Sequence, residues 1–443
     1  MCGKWYPSGE GKLFFSDEEQ FDDWIRCYLS DARHRGTAVF LDSQHRGHAS
    51  SRCSYIATDP VASVKLRSGE QAWQRLAEFR KKYPGWMFGW LAYDLKNEIE
   101  QLVSERNDPV GLPDLCFFVP GVLLEADRDA CEIRVVKGEL PKADLDRKRP
   151  HNQQPEQSGV KSMPYTMGPL VSGDGWERYC YNVLKIKDHI ARGNTYEVNL
   201  THQLQTHFKG DTLDLFDAMR KSGPVPFAAW LSHGEVEVCC ASPERFLQRK
   251  AGRVRSQPIK GTSPRGADPE EDQRIIREIL KKEKNRAENV MIVDLVRHDL
   301  GKVAITGTVR ADTLHEVQSF STVHQLVSTI SAEVAPDASS VDILKACFPM
   351  GSMTGAPKVR TMQIIEELES YRRGLYSGAI GYFRPDGDFD FNVVIRTAII
   401  RQNRLWYSVG GAITADSDPR EEWEETWLKA RALDPQASEM QQN

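Results

Sequence analysis

Apolar residues recur at intervals of three and four along several stretches of the chain, which is the spacing of one helical face. The clearest stretch ends at Gly193, a residue type that commonly terminates helices, and its apolar positions are Trp176, Tyr179, Val183, Ile186 and Ile190. The same spacing predicts helices near residues 21–30 and 70–83. An apolar tract with sparse charges predicts helical structure from Pro269 to about Leu300.

Two further helices are predicted from the residue types at their beginnings. Thr354 is a candidate cap for a helix that starts near Pro357, because a threonine hydroxyl can accept from the first free backbone N–H groups. Asp418 and Pro419 have the same roles at the last helix, where proline suits the first helical position.

Short apolar runs bounded by turn-forming residues predict strands in both halves of the chain. The predicted strands cover residues 38–41, 117–119, 131–136, 196–204, 227–231, 236–241, 254–257, 378–383, 391–400 and 405–409. Residues 137–168 are polar and rich in proline, so they predict a linker. The chain is therefore divided into a front region (1–136), this linker (137–168), a second domain (169–435) and a short tail (436–443).

Composition excludes some classes of partner. The chain has 443 residues, with 58 Lys and Arg against 63 Asp and Glu, and the two signs are interspersed. A net charge of −5 argues against nucleic acid or an anionic membrane as a partner. The N-terminus lacks the apolar stretch of a secretion signal, and no 18-residue apolar run occurs, so neither a secretion signal nor a membrane span is expected. A small-molecule enzyme fits better, with two lobes or one large elaborated domain.

The nine cysteines are scattered and odd in number, which is typical of reduced thiols in a cytoplasmic protein. They suggest no zinc site. Removal of Met1 would expose Cys2 as an N-terminal nucleophile. Nothing after Cys2 continues a glutamine-binding pattern, so we interpret Met1-Cys2-Gly3 as a chance match.

The chemistry centres on Lys260, which lies between Pro258 and Gly261. Proline stiffens the backbone before the lysine and glycine permits a turn after it, so the amine is mounted on a short rigid segment. In isolation the stretch is more typical of a solvated lysine in a turn. Its surroundings decide between the two interpretations.

On the last predicted helix, Glu422, Glu425 and Lys429 share one face. In isolation this face is more typical of exposed ion pairs than of a site. The pair Gly410-Gly411 lies just upstream and offers backbone that an anion can approach closely. With Glu288, the two glutamates would supply the oxygen ligands that magnesium prefers.

Ordered stretches of the second domain resemble the chorismate-binding domain shared by anthranilate, aminodeoxychorismate, isochorismate and salicylate synthases. The resemblance covers roughly residues 172–432, and is looser in the front region. The matching stretches include Ser242-Pro243-Glu244-Arg245-Phe246, Pro258-Ile259-Lys260-Gly261-Thr262, Ala287-Glu288-Asn289, Val323-His324-Gln325-Leu326, Gly351-Ser352-Met353-Thr354-Gly355-Ala356-Pro357-Lys358, Gly378-Ala379-Ile380-Gly381-Tyr382, Ile395-Arg396-Thr397 and Gly410-Gly411-Ala412-Ile413-Thr414. It implies an α+β fold like that of anthranilate synthase component I, a large antiparallel β-sandwich flanked by helices, to which the front region contributes strands.

Lys260 separates the members of this family. Lysine at this position is typical of the members that convert chorismate to 4-amino-4-deoxychorismate for p-aminobenzoate and folate, whereas anthranilate synthases typically have alanine. Amination at C4 with retention follows from two allylic displacements, the first by an enzyme nucleophile at C2. A lysine amine suits that role where its surroundings lower its pKa. The alternative is an anthranilate synthase component I.

The resemblance also implies roles for individual residues. Lys260 would attack C2, and Glu244 would protonate the departing C4 hydroxyl. Glu288 and Glu425, with Glu422 nearby, would hold Mg²⁺ against the ring carboxylate. The groups implied to bind the enolpyruvyl carboxylate are Tyr382, Arg396, Lys429 and the backbone of Gly410 and Gly411. His324 and Thr354 would line the site, the histidine in an orienting role.

Some features limit the assignment. Glu197 stands where relatives that use ammonia usually have glutamine and those that use water have lysine, which counts against an isochorismate synthase. The chain has no G-x-C-x-G glutaminase signature, so ammonia is expected from a glutamine amidotransferase subunit or from solution. A binding protein that keeps the pocket without turnover is disfavoured by the intact set of Glu244, Lys260, Glu288 and Glu425.

Overall fold

The structure, a computed structural model, describes residues 11–43, 53–141, 144, 165–221, 226–320 and 323–438. Cys2, most of the predicted linker and residues 439–443 of the tail lie outside this range. The helices are α1 (Glu18–Ala32), α2 (Ala72–Lys82), α3 (Gly175–Ala191), α4 (Thr212–Lys221), α5 (Pro269–Lys281), α6 (Glu283–Gly301), α7 (Ser340–Cys347), α8 (Lys358–Leu368) and α9 (Pro419–Ala430).

Two predicted caps have different outcomes. The carboxylate of Asp418 accepts hydrogen bonds from the N–H groups of Arg420 and Glu421, with Pro419 in the first turn of α9, as predicted. Thr354 does not cap α8, so that prediction is wrong. Its hydroxyl donates instead to the carbonyls of Met350 and Gly351, and α8 begins after Pro357 without a side-chain cap.

Strands from all parts of the described chain join in antiparallel ladders. The front strands are β1 (Lys12–Phe14), β2 (Ala38–Asp42), β3 (Ser54–Leu66), β4 (Met87–Leu91), β5 (Leu115–Asp127) and β6 (Glu132–Lys137). The middle strands are β7 (Tyr165–Met167), β8 (Val171–Ser172), β9 (Glu197–Gly210), β10 (Phe227–His233), β11 (Val236–Ser242), β12 (Arg245–Lys250), β13 (Arg253–Gln257) and β14 (Ile259–Pro264). The remaining strands are β15 (Arg310–Ser319), β16 (Val323–Glu333), β17 (Gly355–Ala356), β18 (Ala379–Phe383), β19 (Phe389–Asn392), β20 (Thr397–Arg401) and β21 (Arg404–Ile413).

Two runs of strands meet at β5. The first run passes from β5 through β3, β2, β10, β11, β20 and β21 to β9. The second passes from β5 through β4, β18, β19, β12 and β13 to β16, which also pairs with β14 and β15. One apolar cluster holds residues of both runs, including Phe88 and Ile380 of the second and Val238 and Ile399 of the first. The predicted α+β sandwich is confirmed, with the front strands built into it.

Helices cover the outer faces of this sheet. The buried residues of α3, α4 and α9 form one core with β9 and β21, and those of α2, α6 and α7 form another with β4 and β18. The long tract predicted from Pro269 to Leu300 is two helices, because Lys282 between them has extended backbone with ψ of 106°. The helices α6 and α9 carry the carboxylates of the candidate site.

Candidate active site

Lys260 lies in β14, which pairs with β16 through an irregular register between Ile259 and Thr262. The next residue, Gly261, has φ of +92°, in the region that favours glycine. The Lys260 amine donates a 2.8 Å hydrogen bond to Oε1 of Glu197 and lies 3.9 Å from Oε2 of Glu288. The amine is therefore mounted on a strand and directed at carboxylates.

These carboxylates set the proton affinity of Lys260. Burial lowers its pKa, but the neighbouring charges of Glu197 and Glu288 outweigh that effect and the pKa lies above its usual value. The expectation of surroundings that lower the pKa is therefore wrong for this structure. Attack by this amine requires that a neighbouring group first accept its proton.

Glu244 precedes β12 and is almost completely buried. Burial raises the pKa of its carboxyl group to about 7, although a 2.7 Å hydrogen bond from the Ser352 hydroxyl and the charge of Lys260 act against that rise. A carboxyl group with this pKa is protonated in a large fraction of molecules at neutral pH. It is suited to donate a proton to a leaving hydroxyl.

Two glutamates of α9 meet the strand β21 at Gly411. A Cβ atom added there would lie 3.3 Å from Oε2 of Glu422 and 3.8 Å from Oε1 of Glu425. The amine of Lys429 would lie 3.6 Å away, and it donates to the Gly410 carbonyl at 2.6 Å and pairs with Glu425 at 2.7 Å. The sequence prediction that these groups share one face next to the glycine pair is confirmed.

The glutamates differ in how firmly they are held. Glu422 is buried, and its Oε1 accepts a 2.6 Å hydrogen bond from Ser417. Glu425 is about half exposed, so its carboxylate is open to solvent on one side. Glu288 is also buried, and its Oε2 lies 3.9 Å from the amine of Lys260.

The carboxylates of this region can be compared with the ligands that Mg²⁺ usually takes from a protein. Within the described residues, no three His, Cys, Asp or Glu side chains are grouped closely enough to hold a metal by themselves. Mg²⁺ usually takes one or two protein carboxylates and completes its shell with water and substrate oxygens. The carboxylates of Glu422 and Glu425, which converge over Gly411, fit that requirement.

Arg396 follows β19 with φ of +49°. Its side chain is partly buried and forms no hydrogen bond or ion pair with another described side chain, and burial lowers its pKa. The ionisable group that acts on its charge is the Tyr407 hydroxyl, which in turn is affected by Tyr376. A guanidinium without an acidic partner in the described chain is suited to a carboxylate ligand.

Tyr382 lies elsewhere. Its ring packs against Tyr55, Trp86 and Phe88 of the front region, with centroid distances of 5.1, 5.7 and 5.7 Å. Among the described residues no hydrogen bond joins Tyr382 to Arg396. The tyrosine hydroxyl that acts on the Arg396 guanidinium is that of Tyr407.

His324 is fully buried, and both ring nitrogens have partners. One lies 2.8 Å from the Ser319 hydroxyl and the other 2.9 Å from Oδ1 of Asp272. These contacts hold the ring in place, which fits an orienting role. Thr354 is also fully buried, and its backbone carbonyl accepts from the N–H of Asn199 on β9.

Two residues that the structure places at the site, Ser352 and Glu197, were not predicted from the sequence to act there. Ser352 lies in a matching stretch, and its hydroxyl contacts Glu244. Glu197 was noted as a departure from relatives, and it is the closest partner of Lys260. The available signal for Glu197 was that it is the only acidic residue in the strand Glu197–Gly210.

Comparison with known proteins shows what the chain resembles. The family model described as chorismate binding enzyme matches residues 27–435. An aminodeoxychorismate synthase from Streptomyces griseus is 49% identical over 269 residues, which are 60% of this chain and 37% of that protein. The chain therefore spans less than half the length of this relative.

Two further proteins match over most of their length. Aminodeoxychorismate synthase component 1 from Klebsiella aerogenes is 33% identical over 438 residues, covering 93% of this chain and 96% of that protein. The crystal structure of anthranilate synthase component I from Streptococcus pneumoniae TIGR4 has a TM-score of 0.75 at 27% identity, covering 89% of this chain and 95% of that one.

Proposed function

We propose a reaction for this chain from the premise that it belongs to the family of chorismate binding enzymes. The proposed activity is that of aminodeoxychorismate synthase component I, which forms 4-amino-4-deoxychorismate from chorismate and ammonia. One observation carries the proposal. The Lys260 amine lies 2.8 Å from Glu197 and within electrostatic reach of Glu244, a carboxyl group with a pKa of about 7.

In the first half of the proposed reaction, Lys260 attacks C2 of chorismate. The amine first gives a proton to Glu197, its hydrogen-bonded neighbour. As the C2–N bond forms, the ring double bonds shift, and the C4 hydroxyl takes the proton of Glu244 and leaves as water. The proton held by Glu197 then restores Glu244.

In the second half of the proposed reaction, ammonia attacks C4 of the ring while the ring is still bonded to Lys260. The double bonds shift back and the C2–N bond breaks, so the electron pair returns to the nitrogen of Lys260. Two displacements place the new nitrogen on the face that the hydroxyl left. The new C4 ammonium group passes one proton to the neutral amine of Lys260, so Lys260 returns to its protonated form and Glu197 is again a carboxylate.

Other residues would bind and orient the substrate. We assign Glu422 and Glu425, with Glu288, to Mg²⁺, which when bound would offset the negative charge of the ring carboxylate. Arg396, Lys429 and the backbone of Gly410 and Gly411 would hold the enolpyruvyl carboxylate. His324 and Thr354 would shape the wall of the site. Tyr382 is outside this set, because its ring packs against the front region.

The proposed surroundings of the enzyme follow from its chemistry. A glutamine amidotransferase subunit would supply ammonia, and the product would serve the formation of p-aminobenzoate and folate. The described cysteines are free thiols, which supports a cytoplasmic location. No helix in the described part of the chain is both long and apolar enough to span a bilayer.

Anthranilate synthase component I is the second candidate. The specific observation in its favour is the TM-score of 0.75 with the Streptococcus pneumoniae protein of that name. Both reactions begin with chorismate and ammonia, but they place nitrogen on different carbons.

Product identification decides between them. Purified protein is incubated with chorismate, magnesium chloride and either ammonium or glutamine, and the products are separated and weighed by mass spectrometry. The proposal expects 4-amino-4-deoxychorismate with ammonium and none with glutamine alone. Anthranilate as the product would overturn the proposed function, and so would the absence of any aminated product.

A further inference from the structure

Only one of the two carboxylate oxygens of Glu197 accepts a hydrogen bond from a described residue. Glu197 is 1% exposed, and its Oε1 accepts the hydrogen bond from Lys260. Its second oxygen, Oε2, is buried and accepts no hydrogen bond from any described residue. A buried carboxylate oxygen without a donor is unfavourable, so Oε2 is prepared for a ligand that carries N–H or O–H groups.

The backbone holds this carboxylate in place. Glu197 pairs with Ala356 of β17, and the Thr195 hydroxyl donates to the Glu197 carbonyl at 3.0 Å. A Cβ atom on Gly355 would lie 2.0 Å from that carbonyl oxygen, so the approach of the two strands requires glycine, whose φ there is +140°. Glu197 therefore cannot move away from Lys260 without disturbing this pairing.

The chemistry of the site limits what can bind to Oε2. Chorismate carries two carboxylates, and these would be repelled by an ionised oxygen. The co-substrate nitrogen has the opposite character, because ammonium is a small cation with four N–H donors and is the main form of ammonia in neutral solution. A glutamine at this position would present a neutral amide and would lack the charge that attracts a cation.

We propose that Oε2 of Glu197 is a binding site for ammonium and delivers the nitrogen nucleophile beside Lys260. The inference rests on the proposed function and extends it to the second substrate. One proton of the bound ammonium passes to Glu197, and the ammonia that forms attacks C4 while the C2–N bond to Lys260 breaks. Lys260 leaves as a neutral amine and takes the proton back from Glu197, so atoms and charges balance.

The test compares the KM for ammonium with the KM for chorismate. Glu197→Gln keeps an oxygen that can accept from Lys260 but replaces the charged second oxygen by an NH₂ group. We expect its KM for ammonium chloride to rise at least tenfold. The KM for chorismate should change less than twofold, whereas the Lys260 adduct should form more slowly from chorismate without ammonium, because Glu197 is the proton acceptor for that amine. Glu235→Gln, at an exposed position, is the matched control.

Different outcomes separate the two proposals. Aminated product with an unchanged KM for ammonium in Glu197→Gln overturns the ammonium site alone, and so does a KM for chorismate that rises as much as the KM for ammonium. A wild-type enzyme that makes no aminated product overturns the proposed function itself. Should Glu197→Gln not fold or not form the Lys260 adduct, Glu197→Asp keeps the charge and the proton acceptor and shortens the side chain. It should raise the KM for ammonium alone, and a rise in the KM for chorismate instead contradicts the site.

Discussion

The Ser352 hydroxyl donates a 2.7 Å hydrogen bond to Oε1 of Glu244, the buried carboxyl group whose pKa is about 7. Burial favours the neutral acid, whereas this hydrogen bond favours the charged carboxylate. The balance between the two effects sets the pH range in which Glu244 can act as a proton donor.

The first prediction concerns the pH dependence of kcat, because the two effects shift the pKa of Glu244 in opposite directions. Because the proton donor is the protonated form, kcat should fall as pH rises through about 7. Ser352→Ala removes a bond to the charged form, so the pKa should rise and the falling limb should move to higher pH. Rates measured from pH 5.5 to 9 at saturating substrates, with Ser370→Ala as an exposed control, check this. A limb that stays in place would separate Ser352 from the titration.

The second prediction concerns covalent attachment. Chorismate without ammonia should leave part of the wild-type protein heavier by chorismate minus water. Lys260→Ala should carry no adduct and should lose C4 amination by several orders of magnitude. Intact-protein mass spectrometry measures the adduct, and Lys250→Ala, at an exposed lysine, should behave as wild type. Unchanged 4-amino-4-deoxychorismate formation by Lys260→Ala would rule out the covalent route.

The third prediction compares two neighbouring glutamates of α9. Glu425 converges with Glu422 over Gly411, whereas Glu424 is exposed and pairs with Arg420. Glu425→Gln should abolish turnover or raise the magnesium concentration needed for half-maximal activity at least tenfold, because it removes a charged oxygen ligand. Glu424→Gln should leave the magnesium titration unchanged. Equal titration curves for the two variants would remove Glu425 from the metal site.

The fourth prediction uses the two adjacent glycines of β21. A Cβ atom at Gly410 would lie 2.4 Å from the Leu200 carbonyl oxygen, so Gly410→Ala should lower the free energy of unfolding by about 1–3 kcal/mol. A Cβ atom at Gly411 meets the ends of Glu422, Glu425 and Lys429 at 3.3 Å or more. Gly411→Ala should therefore keep its Tm and lose activity. Thermal melts and rates of both variants check the contrast, which a stable, fully active Gly411→Ala would contradict.

Much of the fold could be predicted because its elements are locally encoded. Regular apolar spacing predicted α1, α2 and α3, and Asp418 with Pro419 predicted the start of α9. The strand that was predicted as 117–119 extends through Pro120, which lies opposite Pro60 in the ladder, to Asp127. Pairing with a neighbouring strand decides such lengths, and pairing is not visible in a local pattern.

Groups of site residues within one helix could be predicted from the sequence, but contacts between residues of different elements could not. Helical spacing placed Glu422, Glu425 and Lys429 on one face, and the structure confirms it. The acidic surroundings of Lys260 come from β9 and α6, which are distant in sequence, so the direction of its pKa shift could not be foreseen. The packing of Tyr382 against Trp86 likewise depends on the contact between β18 and β4.

Strand β5 belongs to both runs of strands, because it pairs with β3 and with β4. This limits how segments of related chains can be exchanged. Strand β2 pairs with β10 and β4 pairs with β18, so the ladder that supports the site runs through the front region. A chimera that joins the front region of one relative to the second domain of another must reproduce two inter-strand registers at once. We therefore expect front and rear segments to be inherited together, as halves of one sheet rather than as interchangeable modules.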